Sequence, residues 1–487
     1  MAEAATSGEK IQKAGDFHAE KIEFITSTGL SIDLLGNVLH ITFFEDIQSG
    51  AITGNCIIND VVNLAVIGPV IGQEYIRLKL RSNGLKEQEG VIDFTEHMLL
   101  VNSLQLKEQG ANGNQFLILE FSTSELQKDQ RIRINQSYSG TFSEIFKKIM
   151  RSQLNSKKKL YVEPTRGNKK IVFPNFSPFE AINYMKRNSV SAHDGSPTYM
   201  FFEDFKGYHF RSLTSMYSEP TSFRYTTSIS GSNVNDPFRD MRTVIDYNTY
   251  GIGDSLAAQR LGSYGSELIT YDTYTRRFKT TRYNYLDNFK NETHVTAGRD
   301  RDKKQFPLIS STPVQDRSRL SDFSARRYLV PEANKFDDSG KSTDLTVVFD
   351  DNGEHVYHSP QTETWLQRRQ SQLLQLERGI TCTIQTNGNT LLDCGDIVEF
   401  NLPSNASFKT ISNTGFGHTT AGKYDFFYSG RFLIKSIRQD FDFSKRKHES
   451  LMSLVKDSLS SEILPSTESL ETEPENNGEI IEDFYNA

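Results

Sequence analysis

At 487 residues and 55.4 kDa the chain can bury several cores, and roughly three or four domains is the default for that length. A formal charge of -7 argues against a general nucleic-acid binder, and a hydrophobic fraction of 36% is low for one compact enzyme of this size. Cys56, Cys382 and Cys394 supply neither a disulfide framework nor a metal cluster, which fits folding in a reducing compartment.

Residues 1–19 form a polar leader without an apolar run behind a basic start. No stretch approaches about 18 apolar residues, so neither a signal peptide nor a membrane span is expected. Residues 23–46 then read as two extended segments around Gly36 and Asn37. Further strands are predicted at 54–59, 75–80 and 116–121, with Gly68, Pro69 and Gly72 as punctuation. Ile76, Leu78 and Leu80 alternate with Arg77 and Lys79, which buries one face and wets the other. Residues 20 to about 125 thus predict a first antiparallel barrel or sandwich.

The period then changes. Over residues 139–154, Phe142, Ile145, Phe146, Ile149 and Met150 fall on one helical stripe, with Thr141 as cap and Glu144 three positions on to answer it. Ser177, Pro178 and Glu180 open a second helix, whose buried side is expected to hold Ala181, Ile182, Tyr184 and Met185. A hairpin follows, with strands at 199–204 and 208–210 around Lys206 and Gly207. This makes a small α+β module.

Beyond it, 222–229 reads as a connecting strand, 242–250 as extended, 254–261 as a short helix, and 265–272 with 275–285 as extended segments. Residues 288–341 are polar and weakly periodic, which predicts a long surface excursion. A strand at 346–349 and a helix at 363–377, with Trp365, Leu366, Leu373 and Leu376 as its apolar members, lead into the last strands. In these, Ile380, Cys382 and Ile384 share a face, 397–402 follows the turn 393–396, and 430–437 pairs with 448–455 in a closing hairpin. The acidic tail that follows has little to bury and is expected to be disordered, with Ile480, Ile481, Glu482, Asp483, Phe484 and Tyr485 as a possible short linear motif.

Chemistry is scarce. His355 and His358 are the one close histidine pair, but no third ligand stands nearby to complete a metal site. His193 and Asp194 beside Ser191 invite a catalytic reading, yet turn chemistry before Gly195 explains the same letters better. Asp393 and Asp396 could form a carboxylate pair; a tight turn before Val398 is the stronger reading. There is no GxSxG, HExxH or phosphate loop, and Gly251 and Gly253 lack the preceding apolar strand. Residues 271–285, Y-D-T-Y-T-R-R-F-K-T-T-R-Y-N-Y, interleave basic and aromatic side chains. They could line a nucleic-acid path or form a solvent-facing strand that meets an acidic partner. No catalytic, cofactor-binding or metal residue is assigned, and no cofactor is expected.

Three stretches carry a family resemblance: I-V-F-P-N-F-S-P-F-E-A-I-N-Y-M-K-R-N-S-V at 171–190 with its following strand pair; M-R-T-V-I-D-Y-N-T-Y with D-S-L-A-A-Q-R-L-G-S-Y-G-S-E-L-I-T-Y-D; and G-D-I-V-E-F-N-L-P-S with S-G-R-F-L-I-K-S-I-R and H-E-S-L-M-S-L-V-K-D-S-L. In their order the chain resembles the central hub protein of the baseplate in contractile-tailed, T-even-like bacteriophages. The resemblance implies a mainly β fold with an α+β insertion: two similar antiparallel barrel domains and a small mixed domain between them. Mapped here, 20–127 is the first tube-like barrel, 128–212 the α+β domain, 213–286 with 342–459 the second barrel, 287–341 a polar surface insertion and 460–487 the acidic tail.

The resemblance further implies a virion tail-baseplate protein assembled in the host cytoplasm. It would form a homotrimeric, pseudo-sixfold ring that joins the hexameric tail tube, or a tube-initiator protein, to the trimeric central spike. Wedge proteins and the tape measure protein are further implied partners, and DNA passes the lumen without specific binding. A cell-wall-degrading tail enzyme and a carbohydrate-binding β protein are the alternatives. The first lacks a separate compact catalytic domain, and the second has only Trp365, on a predicted helix.

Overall fold

The computed structural model describes residues 13–60, 70–82, 90–109, 115–227, 237–250, 254–300, 303–311, 318–332, 345–350, 353–358, 361–403, 424–425 and 427–460. The first twelve residues of the leader, Gly251 and Gly253, and the tail from 461 lie outside the described residues.

Eight strands come first: β1 (Phe17–Ile25), β2 (Ser31–Asp33), β3 (Val38–Asp46), β4 (Thr53–Asn59), β5 (Tyr75–Ser82), β6 (Val91–Asp93), β7 (Leu99–Gln109) and β8 (Gln115–Thr123). Alternate residues of β4 and β5 are buried, as the period-two sequence requires. All pairings within this group are antiparallel. Their inner faces enclose a core that includes Phe24, Phe43, Leu119 and Phe121.

The α+β module follows: α1 (Ser124–Arg131), β9 (Ile134–Gly140), α2 (Phe142–Lys148), β10 (Lys159–Val162), β11 (Lys169–Phe176), α3 (Pro178–Asn188), β12 (Tyr199–Asp204), β13 (Gly207–Ser212) and α4 (Leu213–Tyr217). Both helix starts read from the sequence are capping boxes. Thr141 and Ser177 accept from the backbone of Glu144 and Glu180, whose side chains answer the cap amides. A π-helical turn at Ile149–Gln153 continues α2, and its apolar stripe is buried against α3 and β12. Tyr184 departs from expectation. It stays 42% exposed, its ring set against the edges of Phe173 and Phe176 rather than in the core.

The remaining elements are β14 (Thr221–Thr226), α5 (Pro237–Met241), β15 (Val244–Tyr250), α6 (Ser255–Leu261), β16 (Gly265–Asp272), β17 (Phe278–Asn284), α7 (Tyr285–Phe289), β18 (Arg326–Glu332), β19 (Leu345–Asp350), β20 (Gly353–His358), α8 (Thr362–Arg378), β21 (Ile380–Asn387), β22 (Ile397–Asn401), β23 (Gly430–Asp442) and β24 (Lys447–Lys456). The closing hairpin pairs as expected, β23 with β24. Residues 213–286 reach the final strands through β15 on β21 and β14 on β22.

The two expected barrels do not form. Fourteen strands make one sheet whose main path, β15-β21-β24-β23-β3-β4-β8-β7-β5-β1-β2, is open at both ends, with β6, β14 and β22 branching from it. The physical reason lies in β3 and β23. A barrel needs each terminal strand to find its own sheet's far edge; here β3 and β23 pair with each other, from Ser436 opposite Asp46 to Asp442 opposite His40. The two halves are thereby fused, and β2 and β15 are left as ends.

The halves also differ in kind. The second contains a parallel β14–β22 pair and a separate sheet, β17-β16-β18, in which β16 and β18 are parallel. β18 comes from the polar 287–341 stretch, so that stretch is partly ordered against the chain's own β16. α8 lies on β16 and buries a polar stripe: Gln367 donates to Ser266 O at 3.0 Å, Ser371 to Ser263 O at 2.7 Å and Gln375 to Ser263 Oγ at 2.8 Å. Among the described residues no helix is long and apolar enough to cross a membrane.

Candidate functional site

Every residue of β12 is buried, and its last two, Glu203 and Asp204, are acidic. Successive strand residues face opposite sides, so each carboxylate enters a different cluster. On one side Lys158 bridges Glu203 Oε1 and Glu125 Oε2, the latter at 3.0 Å. Glu203 Oε2 accepts from Thr123 Oγ1 at 2.6 Å and from Ile52 N at 3.2 Å, and Glu125 Oε1 accepts from Ser156 Oγ at 2.9 Å. Burial pulls on Lys158, but the two carboxylates outweigh it and hold its pKa above the ordinary lysine value. Lys158 likewise keeps Glu125 below the usual range against burial, whereas in Glu203, the more deeply enclosed of the pair, burial wins and raises it.

On the other side Asp204 Oδ1 accepts from Lys206 N and Gly207 N, both at 2.8 Å, closing the β12–β13 turn. Its Oδ2 lies 2.8 Å from His209 Nε2, and the His209 ring stacks between Phe202 and Tyr161. Lys206 Nζ sits 2.6 Å from Asp393 Oδ2 and 3.9 Å from Asp396 Oδ2.

The turn carrying those two aspartates is held by Asp393 N donating to Asp396 Oδ2 at 3.2 Å and by Gly395 at φ +88°. A Cβ at Gly395 would lie 3.0 Å from Phe202 Cζ, so the turn needs glycine for both conformation and space. Glu45 of β3 completes the group: its Oε2 accepts from Cys394 N at 3.3 Å. Glu45 Oε1 and Asp393 Oδ1 have no hydrogen-bond donor. Burial first, then the neighbouring carboxylates, pushes Asp393 up to about 8 and Glu45 well above the ordinary range.

This cluster ties together β3, the β12–β13 hairpin and the 393–396 turn, one from each of the three parts of the chain. Beside it opens a pocket of about 540 Å³ lined by Asp93, His97, Lys159, Tyr161, Lys206 and Thr390, among others. Among the described residues no group of three or more His, Cys, Asp or Glu is placed to hold a metal ion. The arrangement can store a proton and clamp three segments; it holds no activated nucleophile.

The sequence candidates fall as follows. Ser191, His193 and Asp194 form a turn: Ser191 Oγ accepts from His193 N and Asp194 Oδ1 from Ser196 N, with Gly195 at positive φ. Asp393 and Asp396 form the expected turn, but its carboxylates also enter the cluster. His355 and His358 fall on β20, and their side chains lie outside the described residues. Residues 271–285 make the end of β16, a turn and β17. Trp365 is buried on α8. Glu45, Asp204, Lys206 and His209 were missed. The usable signal was an adjacent Glu-Asp pair closing an otherwise apolar strand, which is costly unless each carboxylate is partnered.

No protein-family model matches this chain, and no curated protein matches it. Among solved structures it is similar to a tail protein from Neisseria meningitidis (11% identity, 91% of this chain and 97% of that one, TM-score 0.47) and to a 43 kDa tail protein of prophage MuSo2 from Shewanella oneidensis (10% identity, 90% and 98%, TM-score 0.47). It is also similar to an E. coli component of the type VI secretion system described as resembling T4 tail proteins (9% identity, 88% and 76%, TM-score 0.38).

Proposed function

We propose that this chain is a structural hub subunit of a contractile phage tail, joining the tail tube to the central spike. In this reading three copies form a ring that presents a quasi-sixfold face to a hexameric tube and a threefold face to the spike. The ring encloses the channel through which DNA passes without specific contacts. It belongs to the baseplate of the virion, with wedge and tape measure proteins as peripheral partners.

The observation that carries the reading is the β3–β23 pairing together with the cluster around Lys206. One continuous sheet runs through two halves; the α+β module holds the first through Glu203, which accepts from Ile52 N and Thr123 Oγ1, and the second through Lys206 on Asp393. The open end at β15, with Ile245, Tyr247 and Tyr250 exposed, offers a strand edge that a neighbouring subunit can extend. The order of sequence stretches resembling baseplate hubs agrees with it.

The test is co-expression with the spike and tube proteins of the same particle. The proposal expects a complex that survives gel filtration with equal numbers of this chain and the spike. Recovery of the chain free of both partners would sink it.

A further inference from the structure

The sheet β17-β16-β18 has one face covered by α8 and an outer face that is open. Opposite Tyr271 on β16 stand Phe278 on β17 and Pro331 on β18, and opposite Ile269 stands Leu329. Phe278 and Leu329 are each 71% exposed and share that face, on the two strands that flank β16. At the other end of that face Glu267 binds both Arg282, at 3.4 Å, and Arg327, at 2.7 Å. Two guanidinium groups thus share one carboxylate. Among the described residues β17 pairs with β16 alone, which leaves its outer edge without a partner strand there.

The chain carries a segment of complementary chemistry. Residues 461–487 contain eight acidic residues and no Lys or Arg, and include Ile480, Ile481, Glu482, Asp483, Phe484 and Tyr485. The tail also departs from the right place. Leu459 bridges Phe306, and Asp457 Oδ2 lies 2.8 Å from His294 Nδ1, whose Nε2 faces Phe289 O at the end of α7, directly after β17. A twenty-residue coil from Ser460 spans about 25 Å, against roughly 20 Å for the length of β17.

We propose that residues 480–485 dock in cis on this sheet. They lie extended along the β17 edge, with an apolar side chain on Phe278 and a carboxylate toward Arg282, both on the outer face of that edge strand. The sheet is then a receptor for acidic, aromatic-rich extended segments, and the free subunit keeps it occupied by its own tail.

The test uses the full chain and two variants: Phe484→Ala with Tyr485→Ala in the tail, and Phe278→Ser in the sheet. Hydrogen exchange of the β17 amides should rise at least about tenfold in the tail variant, because a tethered strand protects an edge that solvent otherwise reaches. A labelled peptide of residues 461–487 should bind the tail variant, fail to bind the parent chain, and lose binding when Phe278→Ser is added. Raising NaCl from about 50 to about 300 mM should weaken that peptide. Unchanged β17 exchange with no peptide binding overturns the proposal. Protection that grows with protein concentration overturns it in favour of a second copy. Equal binding of a single-stranded oligonucleotide by parent and tail variant overturns it in favour of a nucleic-acid surface.

Discussion

The two charge clusters that share the end of β12 have the same ingredients and opposite characters. Each sets one lysine between buried carboxylates. Around Lys158 the acids also receive Thr123, Ser156 and the Ile52 amide, so both carboxylates have supporting donors. Around Lys206 the donors fall short: Glu45 Oε1 and Asp393 Oδ1 are left without one, and the lysine is half exposed. The difference teaches that a buried ion group is a clamp when its donors balance its acceptors. When they do not, it becomes a proton store, since burial and the neighbouring carboxylates favour the protonated form of Asp393 even against Lys206.

Breaking the first cluster should cost most. Lys158→Met removes the only cation beside two buried carboxylates, and the expected loss is about 3–5 kcal/mol in urea denaturation. A loss below about 1 kcal/mol would erase the contrast between the clusters.

The second cluster should show itself through pH. The native pKa of Asp393, about 8, lies above the ordinary value of 3.8, so the folded state holds a proton that the unfolded chain releases. The stability from this group is fully present below the unfolded value and is lost as pH rises toward 8. The slope approaches about 1.4 kcal/mol per pH unit for one proton. Asp393→Asn has nothing to titrate, so its denaturation midpoint should decline less than that of the parent between pH 5 and 8. Parallel declines would show that Asp393 stores no proton.

A smaller effect sharpens the same contrast. Ser156→Ala takes one donor from Glu125 and should cost about 1–2 kcal/mol without adding pH dependence above neutrality.

Local structure was legible where one stretch of sequence contains its own cause. The capping boxes at Thr141 and Ser177, the short helix α6 and the period-two strand β5 all read correctly from neighbouring letters. What failed was pairing at a distance. Alternation says which face of β3 is buried, but not that its free edge meets β23, so the sheet was expected to close twice when it closes nowhere. The same limit hid the Lys206 cluster, because the Cys394 amide that meets Glu45 comes 349 residues later. Polarity misled as well. The stretch 287–341 looked too hydrophilic for a strand, yet β18 needs only one covered face, and α8 buries glutamines that hydrogen-bond the sheet.

The proposed hub role rests on one continuous sheet with open strand edges, and the most direct test is the mass of the purified chain by light scattering across a range of concentrations. The account predicts a stable species of three times the 55.4 kDa chain mass. A monomer that persists at high concentration and is unmoved by added spike protein would contradict it.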